Sequence, residues 1–459
     1  CRAERWDAKH SAVIAERIRQ TRSFLEGEGL GPFLVRALAG SGAVRLAAMA
    51  GSFAVGVQLA RMLGVVNYGY YGVALSIITI VGIPGELGIS RVVTREVAAA
   101  SAVADYGRIF RALRWARRTV LSLSFITALL AIAGAYLVGR TRPEVPTVAI
   151  LLGAPMIPLM ALARLDGGAL QGLHHVVRGQ IPANLLRPVF FSLLLFAAYA
   201  LGVRVSVPEA MAFNSVVAAL VATVAFAWLR QRLPDRPVEQ FVPKDRRWLA
   251  SAIPMALTDG MRVLQTEFSI LLVGIIAAPA AVGLFRVASA TASVAAAAVP
   301  MVVHVALPVT ARLYAAEDRV RLQKAVSAFA VAQFAGVLLL SLPLLIVPGV
   351  LLGLVFGDQF APAAAALRIL AAGQIANAFF GPNAALLNMT HHERRVTRAM
   401  GIALVLNIVG VIALTLLWGM TGAALAFVAA LICWNVVAWV DSRRLLGIET
   451  SILGLRAAL

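Results

Sequence analysis

The chain has 459 residues, 60% of them hydrophobic and 14% charged, with a net charge of +19 and a mean hydropathy of +0.85. Soluble domains are roughly a quarter charged, so this composition excludes an ordinary soluble enzyme. The excess Arg falls in short connectors between apolar runs, which points to membrane topology and not to nucleic acid as a partner.

Residues 1–40 form a basic N-terminal segment, beginning "CRAERWDAKH", that is too polar for a secretory signal. Residues 12–25 suit either an amphipathic helix lying in the interface or a solvated one. Apolar runs then recur at 41–62, 69–91, 118–138, 146–171, 182–202 and 208–229. After a charged connector at 230–247 they resume at 248–275, 280–308, 325–347, 362–389, 399–417 and 420–440. Each is near the twenty residues a helix needs to cross a bilayer. The expected fold class is therefore an all-α polytopic membrane protein, with twelve transmembrane helices in two six-helix pseudo-symmetric lobes. The lobes are expected at 41–229 and 248–445, with a tail at 446–459.

Charge sets the orientation. With the N-terminus inside, thirty-one basic residues fall in inside segments and four outside, at Arg61, Arg140, Arg142 and Arg204. Both termini are then expected in the cytoplasm. The longest outer loop, "PGVLLGLVFGDQFAP", carries one carboxylate, Asp358. That leaves little room for a catalytic domain, so no enzyme is expected. No P-loop is present, and "GEGLG" at 27–31 fails the dinucleotide pattern, so no cofactor is expected either.

The halves resemble each other. "YGYYGVALS" aligns with "VGLFRVASA" at an offset of 214, pairing Gly69 with Gly283, Tyr71 with Phe285 and Ala74 with Ala288. "FAWLRQRL" resembles "VAWVDSRRL" at the ends of spans 6 and 12. "LQGLHHVVRG" matches "LNMTHHERRV", pairing His174 with His391 and Arg178 with Arg395. Six-helix repeats enter the membrane from the same side and are related by an axis along its normal, as in transporters. Neighbouring histidines point about 100° apart on a helix, so neither pair chelates one ion well and no metal site is expected. Both Cys1 and Cys433 also lack metal-ligand spacing.

Intramembrane charge marks candidate sites. Arg45, Arg91 and Arg286 lie near span ends, where snorkelling to the interface competes with a substrate role. Asp259 and Arg262 share a face of span 7, and Glu267 lies deeper in it. Arg45, Arg91, Arg262 and Arg286 are the candidate substrate residues, because guanidinium binds phosphate oxygens in a fork and stays charged. Glu86, Asp259 and Glu267 are the candidates for coupling to a proton or Na+. Arg164, Asp166 and Arg368 are further charges within spans. Pro84, Pro254, Pro300, Pro308 and Pro382 interrupt spans and are expected to kink them.

"LARMLGVVNYGYYGVALSI…GELGISRVVTREVA", "TEFSILLVGIIAAPAAVGLFRVASA", "LRILAAGQIANAFFGPNAALLNMTHHERR" and "GAALAFVAALICWNVVAWVDSRRLLGI" resemble segments of the Wzx-type polysaccharide flippases, over residues 40–447. The resemblance implies the multidrug/oligosaccharidyl-lipid/polysaccharide exporter fold, with a cavity lined by spans 1, 2, 7 and 8. It implies flipping of undecaprenyl-pyrophosphate-linked oligosaccharide across the bacterial inner membrane, among membrane lipids and alongside a polysaccharide polymerase and chain-length regulator. The family pattern in span 10 reads Thr-Gly-His-Glu, whereas this chain has Thr390, His391, His392 and Glu393. A large residue thus stands where a glycine turn is expected. The competing readings are a multidrug or organic-cation antiporter of the same superfamily and, from another class, a membrane polysaccharide polymerase or ligase.

Overall fold

The computed structural model describes residues 30–86, 88–141, 145–233 and 247–455, with the side chains of 30–41, 86 and 247–259 outside the description. The expected 12–25 helix and most of the 230–247 connector lie outside the described residues. Every regular element among the described residues is helical. Lipid offers no partner to backbone polar groups, so the chain satisfies them within each helix.

The described residues make twelve passes. Spans 1 and 2 are the arms of Leu30–Glu86 on either side of Gly64, and Ile89–Ala102 extends span 2 beyond a left-handed Gly88. Span 3 is Tyr106–Thr141, and span 4 is Thr147–Gly153 with Met156–Gly172. Span 5 runs from Val176–Gln180 through a π-turn to Arg187–Ala200, and span 6 is Val207–Arg230. Span 7 is Arg247–Ile276; span 8 is Pro279–Ala295 with Ala298–Ala315; span 9 is Arg319–Ile346. Span 10 is bent by 42° between Asp358–Phe379 and Asn383–Met389. Spans 11 and 12 are the arms of Glu393–Leu446 around Trp418 and Gly419.

Both long helices reverse at their breaks. Gly64 has φ 72° and ψ 173°, outside the range of L side chains. A Cβ at Gly56 would lie 3.6 Å from the Tyr68 hydroxyl, and one at Gly410 3.1 Å from the Cβ of Ala426. Neither contact is available to a straight helix rising 1.5 Å per residue. Prolines act unevenly. Span 8 breaks just before Pro300 and span 10 breaks at Pro382, whereas span 7 runs unbroken through Pro254.

Packing follows the rules of a lipid solvent. Large apolar side chains such as Leu130, Leu339 and Leu416 are exposed, by 62%, 70% and 70%. Lipid tails are as apolar as leucine, so association relies on small residues that let backbones approach. Alanines accordingly dominate the buried set, with Ala60, Ala74, Ala210, Ala288, Ala371 and Ala423 fully covered.

The repeat seen in the sequence is physical. Tyr71 and Phe285 are 3% and 2% exposed, and Ala74 and Ala288 are both 0%. Their partners Gly69 and Gly283 meet face to face. A Cβ on Gly69 would stand 1.9 Å from Pro279 O, and one on Gly283 would stand 2.2 Å from Val65 O. Spans 2 and 8 thus cross, backbone on backbone, between the lobes. The turns repeat too. Ala104 and Glu317 have φ 53° and 55°, and His174 and His391 have φ 64° and 63°. Each histidine pair therefore marks a left-handed turn, and His391 holds the conformation a glycine would adopt without strain.

Candidate functional site

The lobes close on each other at the arginine-poor end of the bundle. Arg61 of span 1 donates from Nε to Val355 O (2.8 Å) and from Nη2 to Leu354 O (2.5 Å). It thereby caps the last carbonyls of the short helix Pro348–Phe356 in the other half. Phe53 packs edge-on to Phe356 at 5.6 Å, and Tyr68 edge-on to Phe360 at 6.3 Å. With the Gly69–Gly283 crossing, these contacts form a seal whose one charged member, Arg61, bonds to backbone carbonyls. The 348–356 segment is expected from the sequence as part of an outer loop. It is a helix, and its end is half of the seal.

Beneath the seal lies a polar cluster that bridges the lobes. Ser76 Oγ of span 2 donates to Glu267 Oε2 of span 7 at 2.6 Å. Glu267 is within electrostatic reach of Arg286 on span 8. Arg286 lies over the rings of Tyr68 and Tyr71, 5.9 and 5.7 Å from their centroids. Glycine at 72 makes room for it, since a Cβ there would touch Arg286 Cδ at 3.2 Å. Tyr71 accepts from Asn214 Nδ2 of span 6 at 3.2 Å, and Asn214 Oδ1 accepts from Arg187 of span 5. One guanidinium nitrogen of this network, Arg286 Nη1, is buried without a partner. A buried guanidinium with an unused donor is costly to leave alone and ready for an anionic oxygen.

The expectation that Arg286 sits near a span end, free to snorkel, is corrected by this placement. It is held between the lobes by two tyrosines. Arg187, which charge counting assigned to an inside segment, is likewise half-buried within span 5 and bonded to span 6. The other candidates stand apart. Arg45 is exposed on span 1, within electrostatic reach of His304 on span 8. Arg262 is exposed on span 7, in one strip with Thr266 and with Ser269, which donates to Asn407 of span 11 at 3.0 Å. Arg91 is exposed on the span 2 extension. The side chains of Glu86 and Asp259 lie outside the described residues.

Two charges that composition singled out are structural. Asp166 is ion-paired with Arg117 at 2.8 Å, and Arg117 also covers the Phe226 ring at 4.8 Å. Arg368 donates to Leu345 O at 3.2 Å. Tyr68, Tyr71, Ser76 and Asn214 escaped sequence reasoning because neutral residues in apolar runs carry no charge signal. The repeat match of 68–76 with 282–290 covers Tyr68, Tyr71 and Ser76 but not Asn214, and it marked a repeat and not a site. Among the described residues, no three His, Cys, Asp or Glu side chains gather as a metal site would require.

Solved structures share this architecture. An inward-facing conformation of a multidrug resistance MATE family transporter of the MOP superfamily is similar over 88% of this chain and 97% of its own, with TM-score 0.67 and 14% identity. The lipid II flippase MurJ in an inward closed conformation is similar over 89% of this chain and 87% of its own, with TM-score 0.64 and 13% identity. A MOP superfamily transporter from Pyrococcus furiosus, described as having a binding pocket of reverse polarity, is similar over 92% of this chain and 96% of its own, with TM-score 0.62 and 14% identity. No curated protein matches. At this identity the likeness to the solved structures shows the fold, a multi-pass helical membrane bundle. The family model described as polysaccharide biosynthesis protein matches residues 38–314, more than half of the chain, and the chain belongs to that family.

Proposed function

We propose that the protein flips undecaprenyl-pyrophosphate-linked oligosaccharide units from the cytoplasmic to the outer leaflet of a bacterial inner membrane. In this reading both termini are cytoplasmic and the sealed end faces outward. The observation that carries it is the buried, unpartnered Nη1 of Arg286 between the lobes. The pyrophosphate is the anion that reaches it, with exposed Arg45, Arg262 and Arg91 along its approach. Glu267 couples the movement. Its charged form holds Ser76 and attracts Arg286, and a proton or Na+ on it releases both. A polymerase and chain-length regulator consume the exported units.

The test is a deletion strain complemented with variants of matched expression. R286Q is expected to leave lipid-linked units accumulated on the inner leaflet and to lower surface polymer at least about tenfold, the scale of one charge-assisted contact. R286K and E267D, which keep charge, are expected to retain part of the activity, and E267Q little. Full polymer synthesis with R286Q would contradict the reading. Efflux of organic cations by the same strain, with no effect on polymer, would favour the antiporter instead.

A further inference from the structure

The arginine-rich ends of spans 4 to 6 and 10 to 12 are repeats that have diverged in one respect. The turn after span 4 closes with Leu173 N to Ala169 O at 3.0 Å and His175 N to Leu170 O at 2.9 Å. The turn after span 10 closes with Thr390 N to Leu386 O at 3.1 Å and His392 N to Leu387 O at 2.9 Å. Leu170 therefore corresponds to Leu387, and Arg178 to Arg395. In spans 6 and 12 the buried series Ala210, Met211, Val217, Ala225 and Leu229 matches Ala423, Ala424, Ala430, Ala438 and Ser442. That register corrects the sequence match of Trp228 with Trp439 by two residues. It sets Trp228 opposite Asp441.

The consequence is electrostatic. In the second half Arg395 Nη1 lies 3.9 Å from Asp441 Oδ1. Nearby, Arg443 pairs with Glu449 at 3.3 Å, and Trp439 Nε1 donates to the same carboxylate. In the first half the corresponding carboxylate position holds Trp228. Arg178 and Arg232 line a pocket of about 190 Å³ with Leu170, Trp228 and Gln231. Among the described residues neither arginine has an ion-pair or hydrogen-bond partner. His175 stands by them. Burial first, then Arg232 and Arg178, hold its pKa below the ordinary value. The volume equals about six times the share of one water in the liquid. Tryptophan at a membrane interface, beside two arginines, has an amphipathic ring suited to headgroup depth.

We propose that this pocket is a headgroup site for an anionic phospholipid. Arg178 and Arg232 take the phosphodiester oxygens, the part that Asp441 plays for Arg395 in the other half. Gln231 offers a further donor, and Trp228 and Leu170 meet the glycerol backbone. The site lies apart from the inter-lobe cluster and does not depend on the transported substrate.

Native mass spectrometry of the purified full chain tests it, with phosphatidylglycerol and zwitterionic phosphatidylethanolamine as probes. Wild type is expected to retain phosphatidylglycerol at least about tenfold better, and R178Q/R232Q to lose that preference. R394Q/R398Q removes the same charge from exposed positions in the other half and is expected to keep it. Inorganic phosphate at millimolar concentration is expected not to displace the lipid. No preference in wild type, equal loss in both double variants, or displacement by inorganic phosphate each overturns the proposal. The wild-type arm stands even if a variant folds poorly.

Discussion

The two ends of the bundle are held by different physics. At the arginine-poor end the lobes meet through glycine backbones, aromatic edges and one arginine that caps carbonyls. These contacts are short-ranged and involve no paired charges between lobes. Toward the other end, exposed Arg45, Arg91 and Arg262 lie on spans 1, 2 and 7, and ion pairs such as Arg117–Asp166 and Arg108–Glu96 stay within one lobe. One end thus parts by breaking short-ranged contacts and a single cation's bonds to carbonyls. The other is built to stay cationic.

The contrast breaks most directly at the crossing. Gly283→Val puts a Cβ 2.2 Å from Val65 O, an overpacking worth about 1–3 kcal/mol. Spin-label distances across the seal are expected to lengthen, with the closed fraction reduced about tenfold or more. Arg61→Gln removes two charge-assisted hydrogen bonds at an exposed site and is expected to shift the same equilibrium by about 1 kcal/mol. An unchanged distance distribution would show that the cap is decorative. The turns at the other end sharpen the comparison in the opposite direction. His391→Gly and His174→Gly relieve left-handed strain and are each expected to stabilise by up to about 1 kcal/mol, read as a higher melting temperature.

The smallest effect concerns the segment after span 12. Glu449 accepts from Ser451 and Trp439 and faces Arg443, while its backbone exchanges hydrogen bonds with Gln323 of span 9. Burial pushes its carboxyl up, but the hydrogen bonds from Ser451 and Trp439, with Arg443, outweigh it and leave the pKa below the ordinary carboxylate value. A depressed folded-state pKa contributes stability above the unfolded value that is lost as pH falls through the folded one. Protection factors for hydrogen exchange over 447–455, referred to the intrinsic rate at each pH, are therefore expected to fall as pH drops through that window. In Glu449→Gln they are expected to be low and independent of pH.

The architecture was largely legible in the sequence because lipid imposes few choices. Runs of twenty apolar residues gave twelve spans, and the 214-residue offset paired Gly69 with Gly283 as equivalent positions, though not as a contact. Legibility failed where tertiary contact overrides local signal. The 348–356 segment reads as a loop because Pro348 and Gly357 bracket it, yet it packs as a helix. Arg286 and Arg187 read as interfacial because distance from a span end says nothing about which neighbour covers a face. Of the seven candidate charges, the structure joins two, Glu267 and Arg286. Their neutral partners Ser76, Tyr68 and Tyr71 carry no charge to betray them.

Translocation in reconstituted vesicles tests the central claim most directly. Purified protein is placed in liposomes holding a lipid-linked oligosaccharide with a pyrophosphate bridge, and the fraction reaching the opposite leaflet is read by a lectin outside. The account predicts transfer by wild type, loss of transfer with R286Q, and competition by a soluble pyrophosphate-bridged analogue. Equal transfer by wild type and R286Q, or none by wild type while organic cations are moved, would contradict it.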